Sequence, residues 1–280
     1  MIILQNHDYF VKLNLEGGQV SRFKDEHSGI EYIFEANPQY WGYSTPTLFP
    51  IIGSSYDKKY HFESTVTTME NHGILRSATF TNVSNFENCA VLTFTSNDET
   101  FAQYPYHFTI NITYTLEGSK LLIEYDIIND GVVDMPFNFG LHPAFSVPLT
   151  KDKTFNDFKV TFSSPEVLRG HGPMTESGLI SEIPLDYKTF SEYPTWIYHN
   201  LQSSHIGLSD GTHGVNVSVV GFPVVAVWTN ADKEAPFVCL EPWLGLKHDI
   251  ERDLPFEKRD AILSISPSKQ FRVTYTIEVF

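Results

Sequence analysis

Phe108-Thr109-Ile110-Asn111-Ile112-Thr113-Tyr114-Thr115-Leu116, the turn Glu117-Gly118-Ser119-Lys120, and Leu121-Leu122-Ile123-Glu124-Tyr125-Asp126-Ile127 together decide the fold. Phe108, Ile110, Ile112, Tyr114 and Leu116 alternate with polar residues, and Leu121, Ile123, Tyr125 and Ile127 resume the alternation after the turn. Successive side chains of a strand point to opposite faces, so this period of two predicts a β-hairpin with one face on a core.

The same period recurs outward in both directions. Toward the C-terminus it returns at Val215, Val217 and Val219, at Val224 to Trp228, at Phe237 to Leu240, and at Phe271, Val273, Tyr275, Ile277 and Val279. Toward the N-terminus, residues 9 to 34 alternate around turns at Glu16-Gly17-Gly18 and His27-Ser28-Gly29, which predicts short strands joined by hairpins. Thr-rich segments at 60 to 68 and 78 to 83 predict strands on either side of His72. The stretch from Trp41 to Gly53 is aromatic, and Pro46 and Pro50 forbid a helix there. Residues 150 to 205, rich in Ser, Pro and Gly, predict long loops between short strands. There is no long amphipathic helix, no solenoid repeat and no break in composition. The expectation is an all-β chain, one large antiparallel β-sandwich domain over residues 1–280.

Composition agrees with strands, since aromatics make up 14% of the chain, with 22 Phe and 14 Tyr, and planar rings suit a pleated, half-buried surface. A net charge of −15 repels polyanions and argues against nucleic acid as a partner. No apolar run reaches the roughly 18 residues of a membrane helix. The N-terminus lacks a basic start and loses its apolar run after Leu4, unlike a signal peptide, so a cytoplasmic location is expected. Cys89 and Cys239 lie in separate apolar segments and read as two reduced, buried thiols. His199, His205 and His213 read as surface residues. Dinucleotide, P-loop, nucleophile-elbow and zinc-protease motifs are absent from the sequence.

Three distant stretches carry the chemistry. His142 sits between Gly140, which permits close backbone approach, and Pro143, which fixes the chain after the ring. Glu241 ends the apolar run Phe237-Val238-Cys239-Leu240, where a buried carboxylate must be paired or have its pKa raised. His72 and Arg76 share one short glycine-containing loop. Trp228 and Trp243 are either core residues or rings that stack on the C–H face of a sugar. A base, an acid and an aromatic wall suit proton transfer on a polar ring.

These residues resemble the aldose 1-epimerase (galactose mutarotase-like) family, most closely its LacX-like branch. The resemblance runs nearly end to end. It rests on Leu48-Phe49-Pro50-Ile51-Ile52-Gly53, His72-Gly73-Ile74-Leu75-Arg76, Phe139-Gly140-Leu141-His142-Pro143-Ala144-Phe145 and Ala235-Pro236-Phe237-Val238-Cys239-Leu240-Glu241-Pro242-Trp243-Leu244-Gly245. It implies a galactose mutarotase-like supersandwich with a small-molecule sugar bound in a cleft, and no cofactor. It further implies an isomerase that interconverts the α and β anomers of an aldohexose. Glu241 would be the base at the anomeric hydroxyl, His142 the acid at the ring oxygen and His72 its assistant, with Arg76 and Trp228 holding the sugar. Two departures stand out. Ser54 follows the Phe-Pro segment where the family commonly has arginine, and Leu75 and Ser77 replace the usual Ala and Asp of the loop.

Three alternatives stay open. A hexose-6-phosphate 1-epimerase would need a basic pocket, for which Arg76 is the sole obvious candidate. A non-catalytic carbohydrate-binding or sensing protein would fit the missing arginine. A metal-dependent hydrolase would use His72, His142 and Glu241 as ligands, although none lies at local ligand spacing. An exposed sheet edge leaves a homodimer open.

Overall fold

A computed structural model describes residues 2–55, 57–63, 65–247 and 254–280. The hairpin lies in the middle of a nine-stranded antiparallel sheet. Phe108–Glu117 pairs with Lys120–Asn129 in a register that sets Leu116 against Leu121 and Ile112 against Tyr125. Burial alternates residue by residue along both strands, and Phe108, Ile110, Ile112, Tyr114 and Leu116 are all buried. Each such side chain contributes about 1.5–3 kcal/mol when removed from water. Beyond the hairpin the sheet runs through Gln270–Val279, Gly214–Ser218, His205–Ser209, Lys159–Val167 and Leu179–Pro184 on one side, and Cys89–Thr95 and Thr81–Asn85 on the other.

A second sheet of seven strands faces it. Its order is Gly170–His171, Thr195–His199, Val224–Trp228, Phe237–Leu244, Phe139–Leu141 and Thr47–Leu48, with Ala144–Ser146 also paired to Phe237–Leu244. One contiguous core joins the two sheets: Ile110, Ile112 and Ile123 from the larger, Phe139, Val225, Val227 and Leu240 from the smaller. A three-stranded sheet, Ile2–Gln5, Tyr9–Leu13 and Val20–Asp25, adds to the same core through Leu4, Val11, Leu13 and Phe23. The only α-helices among the described residues are Asp98–Gln103 and Tyr187–Glu192, and none is long and apolar enough to cross a membrane.

The seven-stranded sheet has a second working face. With a period of two, Val225, Val227, Val238 and Leu240 point into the main core, so their neighbours point away from it. Those neighbours form two smaller clusters on the far side: Leu48, Ile52, Val224, Ala226 and Trp243 in one, and Phe34, Ala144, Phe237 and Cys239 in the other, with Trp41 and Trp228 packed against the latter. The candidate site is built on this face.

Four local expectations change. Residues 31–34 make only isolated bridges, Glu31 to Lys24 and Ile33 to Phe145, in place of a further strand. The segment 60 to 68 is a separate hairpin, Lys59–His61 with Val66–Thr68, while the strand expected at 78 to 83 runs Thr81–Asn85. Residues 150 to 205 are more regular than their composition implies, supplying Lys159–Val167, Leu179–Pro184, Thr195–His199 and the second helix. The alternation there is interrupted because Lys159–Val167 changes register between Thr161 and Glu166. Glu166 is buried, and its carboxylate accepts the Ser203 N–H at 2.6 Å. His199 and His205 are half-buried at strand ends, and His213 is half-buried in the turn before Gly214–Ser218. Cys89 and Cys239 are free thiols, the first half-buried and the second buried.

Candidate active site

His142 and Glu241 meet through strand pairing. Gly140 pairs with Trp243 and Ala144 pairs with Cys239, so the residue midway, His142, is carried alongside Glu241. The backbone holds it there: His142 N–H donates to Pro46 O at 3.1 Å, and Leu240 N–H donates to Pro143 O at 3.2 Å. His142 Nε2 then lies 3.4 Å from Glu241 Oε2, with the imidazole 7% and the carboxyl 2% exposed. Gly140 has a specific reason to lack a side chain. A Cβ there would sit 2.9 Å from Trp243 Cδ1 and 3.1 Å from Leu48 Cδ1, in the space the indole fills. Ala226, opposite Glu241 on the neighbouring strand, offers only a methyl group on that side.

His72 arrives on the loop before the 3-10 turn Leu75–Ser77. Its backbone is left-handed, with φ +68°, and Gly73 follows at φ +76°. A Cβ on Gly73 would collide with the Phe49 carbonyl, so only glycine lets the loop approach this closely. The imidazole is clamped from one side. His72 N–H donates to Gly53 O at 2.7 Å, and Gly53 N–H donates to His72 Nδ1 at 3.1 Å. Because Nδ1 accepts, it carries no proton, and the ring's N–H is at Nε2. The His72 ring stands edge-on to His142 with centroids 5.4 Å apart.

Aromatic rings close the other side. Trp41 lies 4.7 Å from the His142 ring at an interplanar angle of 31°, and Trp228 meets His142 edge-on at 5.5 Å. The two indoles contact each other at 5.6 Å. The half-buried Arg76 places its guanidinium 4.9 Å from the centre of the Tyr43 ring. Trp41, His72, Arg76, His142, Trp228 and Glu241 line one cavity of about 310 Å³, to which Asn71 and Lys247 also contribute. Small-molecule sites fall at about 300–1,000 Å³. The structure therefore brings together all five residues singled out from the sequence: His72, Arg76, His142, Trp228 and Glu241.

Burial dominates the electrostatics. Desolvation raises the Glu241 carboxyl well above the ordinary carboxylate range, opposed by the nearby Trp243 indole N–H, whose nitrogen has no hydrogen bond of ordinary length. Desolvation, then the neighbouring His72, pushes His142 well below the ordinary imidazole range. His72 is held down to about 3 by desolvation and by the charges of Arg76 and Lys247. Both imidazoles are thus neutral in the resting pocket, and the carboxyl keeps its proton more tightly than usual.

Trp41, Asn71 and Lys247 were not legible as site residues. Trp41 belongs to the aromatic run 41 to 53, which carried no further signal. Lys247 is placed by tertiary structure: Asn138 Nδ2 donates to Leu246 O at 3.2 Å, anchoring the chain after the site strand. The Lys247 stem crosses directly over Gly53, so that a Cβ on Gly53 would strike it. The cavity lining thus has a second basic residue, next to Gly53, besides Arg76.

Comparison with known proteins places the chain in a family. The family described as Aldose 1-epimerase matches residues 1–177, a span that contains His72, Arg76 and His142. Protein LacX, chromosomal, of Lactococcus lactis subsp. lactis is 28% identical over 302 residues, covering 99% of this chain and 99% of its own length. A galactose mutarotase related enzyme from Lactobacillus acidophilus superposes with a TM-score of 0.90 at 25% identity, over 99% of this chain and 96% of that one. A galactose mutarotase-like protein from Lactobacillus casei has the same fold, with a TM-score of 0.90 at 24% identity and full coverage of both chains.

Proposed function

Since the chain belongs to the aldose 1-epimerase family, we propose that it interconverts the α and β anomers of an aldohexose by acid–base ring opening and closure. The observation that carries this reading is the buried contact of His142 Nε2 with Glu241 Oε2 at 3.4 Å on the wall of an indole-lined cavity. Glu241 takes the proton of the anomeric hydroxyl while His142 gives one to the ring oxygen, and the C1–O5 bond breaks. The open aldehyde turns about C1–C2. His142 then recovers its proton from O5, Glu241 returns one to O1, and the ring closes on the other face.

The pair's electrostatics suit this cycle. Ring closure needs a protonated carboxyl and a neutral imidazole, and burial favours that state in both groups. The ring-closed stage needs the ion pair. Both states have zero net charge, so one proton moving within the pair interconverts them without bringing a new charge into the dry pocket. His72, locked as the Nε2–H tautomer, is a hydrogen-bond donor to the sugar oxygen that His142 serves. Arg76 binds hydroxyls, and Trp41 and Trp228 cover the apolar C–H face. Acid–base catalysis of this kind contributes about 10²–10⁴-fold.

Lys247 favours a second reading, an epimerase of the 6-phosphorylated sugar, because it adds a second basic residue to the cavity lining beside Arg76. The test is mutarotation of freshly dissolved α-glucose and α-galactose, and of their 6-phosphates, followed by NMR against buffer. Acceleration of the free sugars supports the first reading, and acceleration confined to the phosphates supports the second. If no sugar is accelerated, both fail.

A further inference from the structure

Cys239 takes no part in the proton transfers assigned above, yet it is held against the groups that do. On Phe237–Leu244 it lies two residues from Glu241 and on the same face, and its pairing partner Ala144 is two residues from His142. One ligand atom each of His142, Cys239 and Glu241 lies within 4.8 Å of the others. All three residues are buried, at 6%, 0% and 1% exposure. The His142 Nδ1 atom is also buried and has no hydrogen-bond partner among the described residues.

Imidazole, thiolate and carboxylate are the ligand types that zinc accepts, and the thiolate selects borderline-soft cations over Mg²⁺ or Ca²⁺. Two of the ligands come from the strand Phe237–Leu244 and the third, His142, from the link between the two short strands that pair with it. Both Glu241 and His142 also line the sugar cavity, so a fourth coordination position would open toward it. A second convergence among the described residues, His7, Asp8 and His27, differs on both counts. It is exposed and contains no sulfur.

We propose that His142, Cys239 and Glu241 form a binding site for a thiophilic divalent cation of the Zn²⁺ class, and that its occupancy inhibits the enzyme. On binding, three metal–ligand bonds form to sulfur, nitrogen and oxygen. The thiol and carboxyl protons leave to solvent, and no group changes oxidation state. The metal occupies the lone pairs with which Glu241 and His142 exchange protons with the sugar. The inhibition rests on the mutarotase reading, whereas the binding does not.

The experiment separates the two. The reduced full chain, stripped with EDTA, is titrated with Cd²⁺ while the ultraviolet charge-transfer absorption of cadmium–thiolate bonds is followed. Wild type and Cys89→Ala should develop this band, saturating at one ion per chain, and Cys239→Ala and Cys239→Ser should not. Near-ultraviolet circular dichroism checks that the Cys239 variants keep native packing. Because it lacks sulfur, the His7 cluster gives no such band. In parallel, Zn²⁺ should slow wild-type mutarotation reversibly with EDTA, and Mg²⁺ should not. The half-inhibiting Zn²⁺ concentration should rise about 10-fold or more in Cys239→Ala, the scale on which metal sites respond to loss of one supporting contact. No saturable band in wild type, or an equal band in natively packed Cys239 variants, overturns the site. A Cys239-dependent band with no mutarotation of any sugar leaves the site standing and overturns the mutarotase reading instead.

Discussion

His142 Nε2 lies 3.4 Å from Glu241 Oε2, and strand pairing on either side, Gly140 with Trp243 and Ala144 with Cys239, sets the two residues alongside each other. The paired backbone holds the Cα atoms of the two residues side by side in the sheet. In the proposed mechanism the two act as one proton-exchanging unit. Replacing either alone, in Glu241→Gln or His142→Asn, should lower kcat by about 10²–10⁴-fold. The double variant should lose little more than the worse single one, because residues that act as a unit are non-additive. Fully additive losses would show two independent groups.

Gly140 makes room for the Trp243 indole, with a would-be Cβ at 2.9 Å from Trp243 Cδ1. Gly140→Val should overpack this contact and cost about 1–3 kcal/mol of stability in a denaturant titration. It should also displace the indole beside Glu241, raising KM. A variant of wild-type stability and KM would show that the indole has room to move.

Gly73 and Gly211 separate two effects of a left-handed backbone. Gly211, at φ +92°, has no atom of the described residues within 4 Å of a would-be Cβ, so Gly211→Ala should cost only backbone strain, about 1–3 kcal/mol. Gly73→Ala adds a collision with the Phe49 carbonyl and should cost more. It should also move His72 and reduce mutarotation, which Gly211→Ala should leave intact. Thermal unfolding and activity of the two variants decide this.

His72 sets a pH dependence of stability. The unfolded imidazole titrates near 6.5, while the folded one resists protonation until about 3. Between those values the unfolded chain binds more protons, so stability from this residue is lost as pH falls from 6.5 toward 3. His72→Asn should therefore flatten the fall in stability across that window, as read by denaturant titrations at pH 7, 6, 5 and 4. An unchanged slope would mean that His72 is not held neutral.

Lys247 contributes to holding His72 down. Lys247→Met should raise the His72 pKa, measurable by NMR of the ring protons, and should raise KM more than it lowers kcat. A loss confined to kcat would place Lys247 in the chemistry and not at the rim.

Much of the fold was legible because burial along the 108 to 127 hairpin alternates without exception, and the hydrophobic pattern reports burial directly. The same logic failed over 150 to 205, where a register shift and the buried Glu166 put polar groups inside a strand. For the site, His72, Arg76, His142, Trp228 and Glu241 were legible because each combines a chemically active side chain with a telling neighbour: a glycine, a proline or an apolar run. Lys247 had no such neighbour. It reaches the cavity only because Asn138 ties down the backbone at Leu246 and Gly53 leaves space for its stem. Cys239 was legible as a buried thiol. Its approach to His142 and Glu241 is a property of pairing between strands about a hundred residues apart in sequence, which no local pattern records.

The most direct test of the central claim is the rate at which freshly dissolved α-glucose, α-galactose and their 6-phosphates reach anomeric equilibrium with wild type and with Glu241→Gln at equal concentration. The account predicts that wild type accelerates at least one of these sugars well beyond buffer, and that Glu241→Gln, still folded and still binding sugar, loses about 10²–10⁴-fold of that acceleration. A folded Glu241→Gln variant that works as fast as wild type, or a wild type no faster than buffer on every sugar, would contradict it.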